Sequence, residues 1–130
     1  MSDPAWVLPE LVHAVHQMLL AEHGGRLGVR DHALLDSALA RPRQKAAYEP
    51  EISVFELAAS YSCELARNHP FIDGNKRIAL TVAAVFLELN GNSLDASEAE
   101  AVLLYQQLAA GTLMEGELAN WMRDSSIQNT

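Results

Sequence analysis

Apolar positions recur along this chain at helical spacing almost throughout. Leu8, Leu11, Val12, Val15, Met18 and Leu19 form the first such stripe, with Pro9 suited to a first-turn position and Gly24-Gly25 closing the helix. A second helix is predicted from Asp31 as its N-cap, with Leu34, Leu35, Ala38 and Leu39 on its apolar side and Pro42 as its stop. A third opens on Ser53 with Glu56 three residues on, the spacing of a capping box, and runs to about Asn68. Its predicted polar side is Glu56, Ser60, Glu64 and Arg67.

The fourth helix, from about Asn75 to Asn90 with Gly91 past its end, is the most apolar: Thr81 and Glu88 are the polar residues between Ile78 and Leu89. Such a helix belongs in the middle of a bundle, so its first turn would meet a ligand in a partly desolvated cleft. Two more helices are predicted from capping-box spacings, Ser97 with Glu100 and Thr112 with Glu115. No period of two persists long enough for a sheet, although Leu27 to Arg30 or Arg43 to Tyr48 could hold a short extended piece. The fold class read from the pattern is all-α.

At 130 residues and 49% hydrophobic content, the chain suits one domain with a real core over residues 1–130. No apolar run approaches the roughly 20 residues that span a bilayer, and Met1-Ser2-Asp3-Pro4 has no basic segment followed by an apolar one. A cytoplasmic protein with no membrane attachment is expected. The single cysteine, Cys63, lies in an apolar helical stretch and reads as a buried thiol.

Net charge is −8, which argues against direct DNA binding through a broad surface. The basic residues are nonetheless concentrated: eight of the nine, from Arg26 to Arg77, fall between positions 26 and 77. That distribution fits a local field for one phosphate-bearing ligand as well as it fits chance clustering on solvated faces.

Within that segment lies His69-Pro70-Phe71-Ile72-Asp73-Gly74-Asn75-Lys76-Arg77. Pro70 biases His69 away from helical angles and Asp73-Gly74 is a turn signal, so the run reads as a loop feeding the fourth helix. A helix start is an anion site by construction, because its first N–H groups lack intrahelical partners and its dipole end is positive. His69 is the candidate general base. Asp73 is a candidate Mg²⁺ ligand, or else a turn or capping residue. Gly74 would let backbone approach a phosphate or take positive φ. Asn75, Lys76 and Arg77 offer an amide, a point charge and a planar fork to phosphate oxygens. Phe71 reads as an apolar anchor of the loop. His13 and His16, three apart, read as solvated histidines without a completed metal set, and Tyr105, Trp121 and Met122 as core.

The assembled motif resembles the Fic/Doc superfamily, whose Fic branch has His-x-Phe-x-Asp/Glu-Gly-Asn-Gly-Arg-x-x-Arg. His69, Phe71, Asp73, Gly74, Asn75 and Arg77 match, whereas Lys76 replaces the second glycine and Leu80 the second arginine, departures typical of the death-on-curing (Doc) branch. The segments Gly25 to Asp31, Leu34-Leu35 and Ala38 to Pro42 resemble the region that precedes the Doc site.

The resemblance implies a compact bundle of about six helices around a central buried helix. It implies a toxin of a toxin–antitoxin pair that transfers the γ-phosphate of ATP, with Mg²⁺, to a threonine of a translation factor such as elongation factor Tu. In that scheme His69 deprotonates the target hydroxyl, Asp73 holds Mg²⁺ or orients the nucleophile, and Gly74, Asn75, Lys76 and Arg77 bind the nucleotide phosphates. Arg30 would join a basic rim or pair with an acid. The Fic inhibitory pattern Ser/Thr-x-x-x-Glu-Gly/Asn is absent from the sequence, so inhibition is expected from a separate Phd-like antitoxin with a disordered tail. The alternatives are AMP transfer to a protein hydroxyl, as in Fic proteins, and a non-catalytic module that holds a nucleotide or peptide.

Overall fold

A computed structural model describes residues 3–129; Met1 and Ser2, the start of the segment read for a leader, and Thr130 lie outside the described residues. Six helices follow one another: α1 (Pro9–His23), α2 (His32–Tyr48), α3 (Val54–Asn68), α4 (Asn75–Leu89), α5 (Glu98–Ala110) and α6 (Glu115–Asp124). A two-stranded antiparallel sheet, β1 (Asn92–Leu94) with β2 (Ser126–Gln128), pairs Ser93 with Ile127. No described helix is long and apolar enough to cross a membrane.

The helix starts follow local chemistry. Pro9 occupies the first turn of α1, where its missing N–H costs nothing. Asp31 accepts from the N–H of Leu34 at 3.0 Å, Ser53 from Glu56 at 3.1 Å and Ser97 from Glu100 at 3.1 Å, so each side chain satisfies one orphan donor. Gly24 ends α1 with φ 78° and its N–H on Leu20 O at 2.7 Å.

Four expectations are corrected. Pro42 does not stop α2; it lies buried inside the helix, which continues to Tyr48, so Arg43 to Tyr48 is helical and not extended. Continuation is held by tertiary contacts: Arg43 stacks over the Trp6 ring at 5.5 Å, and Lys45 is ion-paired with Glu115 of α6. The last helix starts at Glu115 with Met114 as N-cap, because Glu117 accepts the Met114 N–H at 2.9 Å, while Thr112 Oγ1 instead donates to Gln107 O at the end of α5. The third correction is the β1–β2 pair. Its strands are three residues each, too short for any alternation to register.

The fourth concerns the middle of the bundle, which is α3 more than α4. Leu57, Ala58, Ala59, Ser60, Tyr61, Ser62, Cys63, Leu65 and Ala66 of α3 are all buried, and Ser60 lies among them instead of on a polar side. Alanines and serines let α2, α4, α5 and α6 pack closely around this helix, with α4 against it most extensively. Ser62 Oγ donates to Ala79 O at 2.8 Å and so accepts the Tyr105 O–H at 2.7 Å, which ties α3, α4 and α5 at one buried point. Phe86 of α4 completes the core against Tyr61 and Trp6, with ring centroids 5.2 and 5.7 Å away.

Candidate functional site

The segment between α3 and α4 carries the candidate site, and its shape is set at both ends by the region that follows α1. His69, just past α3, takes left-handed angles of φ 48° and ψ 56°, the only positive φ of a non-glycine among the described residues. It leaves the helix as Pro70 demands, but by a tight left-handed turn and not by an extended one. Arg30 holds that turn. Its Nε donates to His69 O at 2.7 Å and its Nη2 to Asn68 O at 2.8 Å, so one guanidinium satisfies two carbonyls at the end of α3. Arg30 pairs with no acid among the described residues, and its Nη1 is left without a hydrogen bond on the exposed side.

The backbone reinforces this clamp. Pro70 O accepts from the N–H groups of Arg30 at 2.7 Å and Asp31 at 3.1 Å, and the Ile72 N–H reaches Gly28 O at 3.0 Å. Val29 and Phe71 form an antiparallel bridge, so the extended piece predicted from Leu27 to Arg30 exists as a single rung. Phe71 is the anchor expected of it, buried at 1% exposure.

Asp73, Gly74 and Asn75 form the turn into α4. Asp73 Oδ2 accepts the Arg26 N–H at 2.8 Å, and Gly25 leaves room for that approach, since a Cβ there would stand 3.4 Å from Asp73 Cβ and 2.9 Å from Leu20 Cδ2. Gly74 is the N-cap of α4 with φ 78°, a conformation glycine adopts without strain. Asn75 differs from its expected use. Its Oδ1 accepts the Phe71 N–H at 3.0 Å and its Nδ2 donates to Phe71 O at 2.9 Å, so the 8% exposed amide is spent on closing the loop. Asn75 leaves available its backbone N–H and the second hydrogen of Nδ2.

Ile78 is the first α4 residue whose N–H reaches an intrahelical carbonyl, Gly74 O at 2.9 Å. The N–H groups of Asn75, Lys76 and Arg77 have no acceptor among the described residues, which leaves three donors at the positive end of the helix. Lys76 and Arg77 are exposed and pair with no acid among the described residues. Beside them a cleft of about 360 Å³ opens between α4 and α5, with Leu80, Ala101, Val102, Tyr105 and Gln106 as its other walls. His69 is exposed at the loop's start, and neither it nor Asp73 lines the cleft.

For a divalent cation the donor set is sparse. No group of three or more His, Cys, Asp or Glu side chains converges among the described residues, and Asp73 keeps one carboxylate oxygen, Oδ1, without a hydrogen bond. One carboxylate fits Mg²⁺ only where substrate phosphates and water complete its shell.

His16 was missed by sequence reasoning. Read as solvated, it is buried at 2% exposure, stacks on Phe71 with centroids 3.8 Å apart, and its Nε2 lies 2.9 Å from Asp73 O. The signal was present: His16 falls four residues after Val12 and three before Leu19, on the apolar stripe of α1. His13 remains exposed, edge-on to Phe71 at 6.1 Å.

Known proteins match this chain in sequence. The chain is 36% identical over 85 residues to the protein named Protein kinase doc of Escherichia phage P1, an alignment covering 65% of this chain and 68% of that one. It is 47% identical over 75 residues to Toxin Doc of Mycolicibacterium smegmatis, covering 56% of this chain and 57% of that one. The model of the Fic/DOC family matches residues 6–87, a stretch that contains α1 to α3, the loop from His69 to Arg77 and nearly all of α4. With the motif and the family model falling on the same loop and helix start, the chain belongs to the Fic/DOC family.

Proposed function

We propose that residues 1–130 act as one catalytic domain, the toxin of a toxin–antitoxin pair, which moves the γ-phosphate of ATP to a protein hydroxyl. The carrying observation is the start of α4: three backbone donors without acceptors among the described residues, flanked by Lys76 and Arg77, one loop away from the exposed His69. The names of the two relatives, a protein kinase and a toxin, support the same reading.

In this reading His69 accepts the proton of the target hydroxyl as its oxygen bonds to the γ-phosphorus. The bond between the γ-phosphorus and the β,γ-bridging oxygen breaks, and ADP leaves with that oxygen. The first-turn N–H groups, Lys76 and Arg77 hold the oxygens on which charge is spread, since phosphoryl transfer depends chiefly on alignment and electrostatic stabilisation. Asp73 would hold Mg²⁺ through its free oxygen, and bound Mg²⁺ supplies charge neutralisation between the phosphates. Leu80 favours γ- over α-phosphate attack: an apolar side chain lines the cleft where the AMP-transfer pattern has an arginine, so that wall offers no second cationic fork to a phosphate.

The proposed target is a threonine of a translation factor such as elongation factor Tu, and the proposed partner is a Phd-like antitoxin in the cytoplasm. Incubating the protein and the factor with ATP labelled at either the α or the γ position tests the chemistry. Label should reach the factor only from the γ position; transfer from the α position alone means AMP transfer.

A further inference from the structure

His16 is buried, polar and far from the motif in sequence, yet it touches the middle of the loop. Its Nε2 lies 2.9 Å from Asp73 O, and because a carbonyl only accepts, Nε2 carries the proton and donates. The same ring stacks on Phe71, and a Cβ added to Gly74 would stand 3.7 Å from that nitrogen, so His16 packs against both sides of the turn. Two consequences follow for the donors of α4. Asp73 O, turned toward His16, does not accept the Arg77 N–H, as it would if the helix began one residue earlier. In the trans peptide joining Asp73 to Gly74, C=O and N–H point in opposite directions, so binding the carbonyl to α1 turns the Gly74 N–H away from α1.

We propose that His16 is a positioning residue for the phosphate site: it fixes the plane of the Asp73–Gly74 peptide, keeps the Arg77 N–H free and presents the Gly74 N–H as a fourth backbone donor to phosphate. The proposal rests on the reading of the α4 start as the nucleotide phosphate site. A peptide that includes glycine at positive φ turns over at low steric cost, so an unanchored Asp73–Gly74 unit would have two orientations where the anchored one has one. Nothing in the motif itself supplies that anchor: the Asn75 amide holds Phe71, and the Asp73 carboxylate holds Arg26.

The test uses the full chain and two variants. His16→Phe keeps the stacking ring and removes the donor, whereas His16→Gln places an N–H near the position of Nε2 and removes the ring. ATP affinity with Mg²⁺ is measured by calorimetry, fold stability by thermal melting, and the Gly74 amide is followed by ¹H–¹⁵N NMR during titration with ATP. His16→Phe should bind ATP about tenfold more weakly, the loss expected for one hydrogen bond to a charged group. His16→Gln should bind within about threefold of the wild type, even if its melting temperature falls further than that of His16→Phe. The Gly74 amide of the wild type should shift on titration. Wild-type affinity in a folded His16→Phe, or failure of Gln to restore binding, overturns the proposal. A Gly74 amide that ATP leaves unmoved overturns it as well, without recourse to any variant. If the wild type binds no ATP, the phosphate-site reading falls, and this inference with it.

Discussion

His69 combines an exposed imidazole with a left-handed backbone, a conformation that costs a residue with a Cβ about 1–2 kcal/mol. Arg30 offsets that cost by bonding the carbonyls of Asn68 and His69, so the position of the proposed base depends on a guanidinium 39 residues earlier. Replacing Arg30 by Ala should destabilise the fold by about 1–2 kcal/mol, measured by urea unfolding, and slow transfer as well. Arg30→Lys should recover less than half of the loss, because an ammonium cannot bridge two carbonyls in one plane. His69→Ala should remove transfer while leaving the unfolding midpoint within about 0.5 kcal/mol of the wild type, and an unchanged rate would remove the general-base role. Residues whose chemistry is local were legible: Phe71 as anchor, Gly74 at positive φ and Cys63 as a buried thiol all follow from short-range pattern. His16, Arg30 and Asn75 were not, because their partners are fixed by how α1 and the segment after it fold back onto the loop.

At the level of elements, capping side chains and apolar spacing marked where helices begin, and they failed where packing outweighs propensity. Pro42 removes one backbone bond, yet α2 runs through it because the helix beyond is fastened to Trp6 and to Glu115. The apolar α4 drew attention as the centre, although the small residues of α3, modest in hydrophobicity, are what allow four helices to approach it. The burial of α3 is measurable. Leu57→Ala or Leu65→Ala on α3 should cost about 2–5 kcal/mol, whereas Leu103→Ala on the exposed side of α5 should stay within about 0.5 kcal/mol in the same denaturant series. Equal losses at both places would contradict the burial of α3.

Across the whole molecule one core joins all six helices, and it protects groups that would otherwise ionise. Burial, together with the nearby Glu115 carboxylate, pushes the Cys63 thiol from its ordinary 9.0 up to about 12. Burial likewise raises the Tyr105 and Tyr61 hydroxyls. For each, the unfolded chain loses its proton at a lower pH than the folded one, so stability is fully present below the unfolded pKa and is lost as pH rises. The unfolding free energy should therefore be level through neutral pH and decline from about 9 to about 12, the window set by Cys63. Consistent with this, Cys63 should resist a thiol reagent at pH 8 in the native protein and react at once in denaturant; rapid native labelling would contradict the burial.

In the proposed function, the start of α4 and His69 together transfer a phosphate to a protein hydroxyl. The most direct measurement is the intact mass of the translation factor after incubation with this protein and ATP, with His69→Ala as control. A gain of one phosphate is expected with the wild type and none with the variant. A gain of one AMP, or an unmodified factor recovered from cells whose growth the protein arrests, would contradict it.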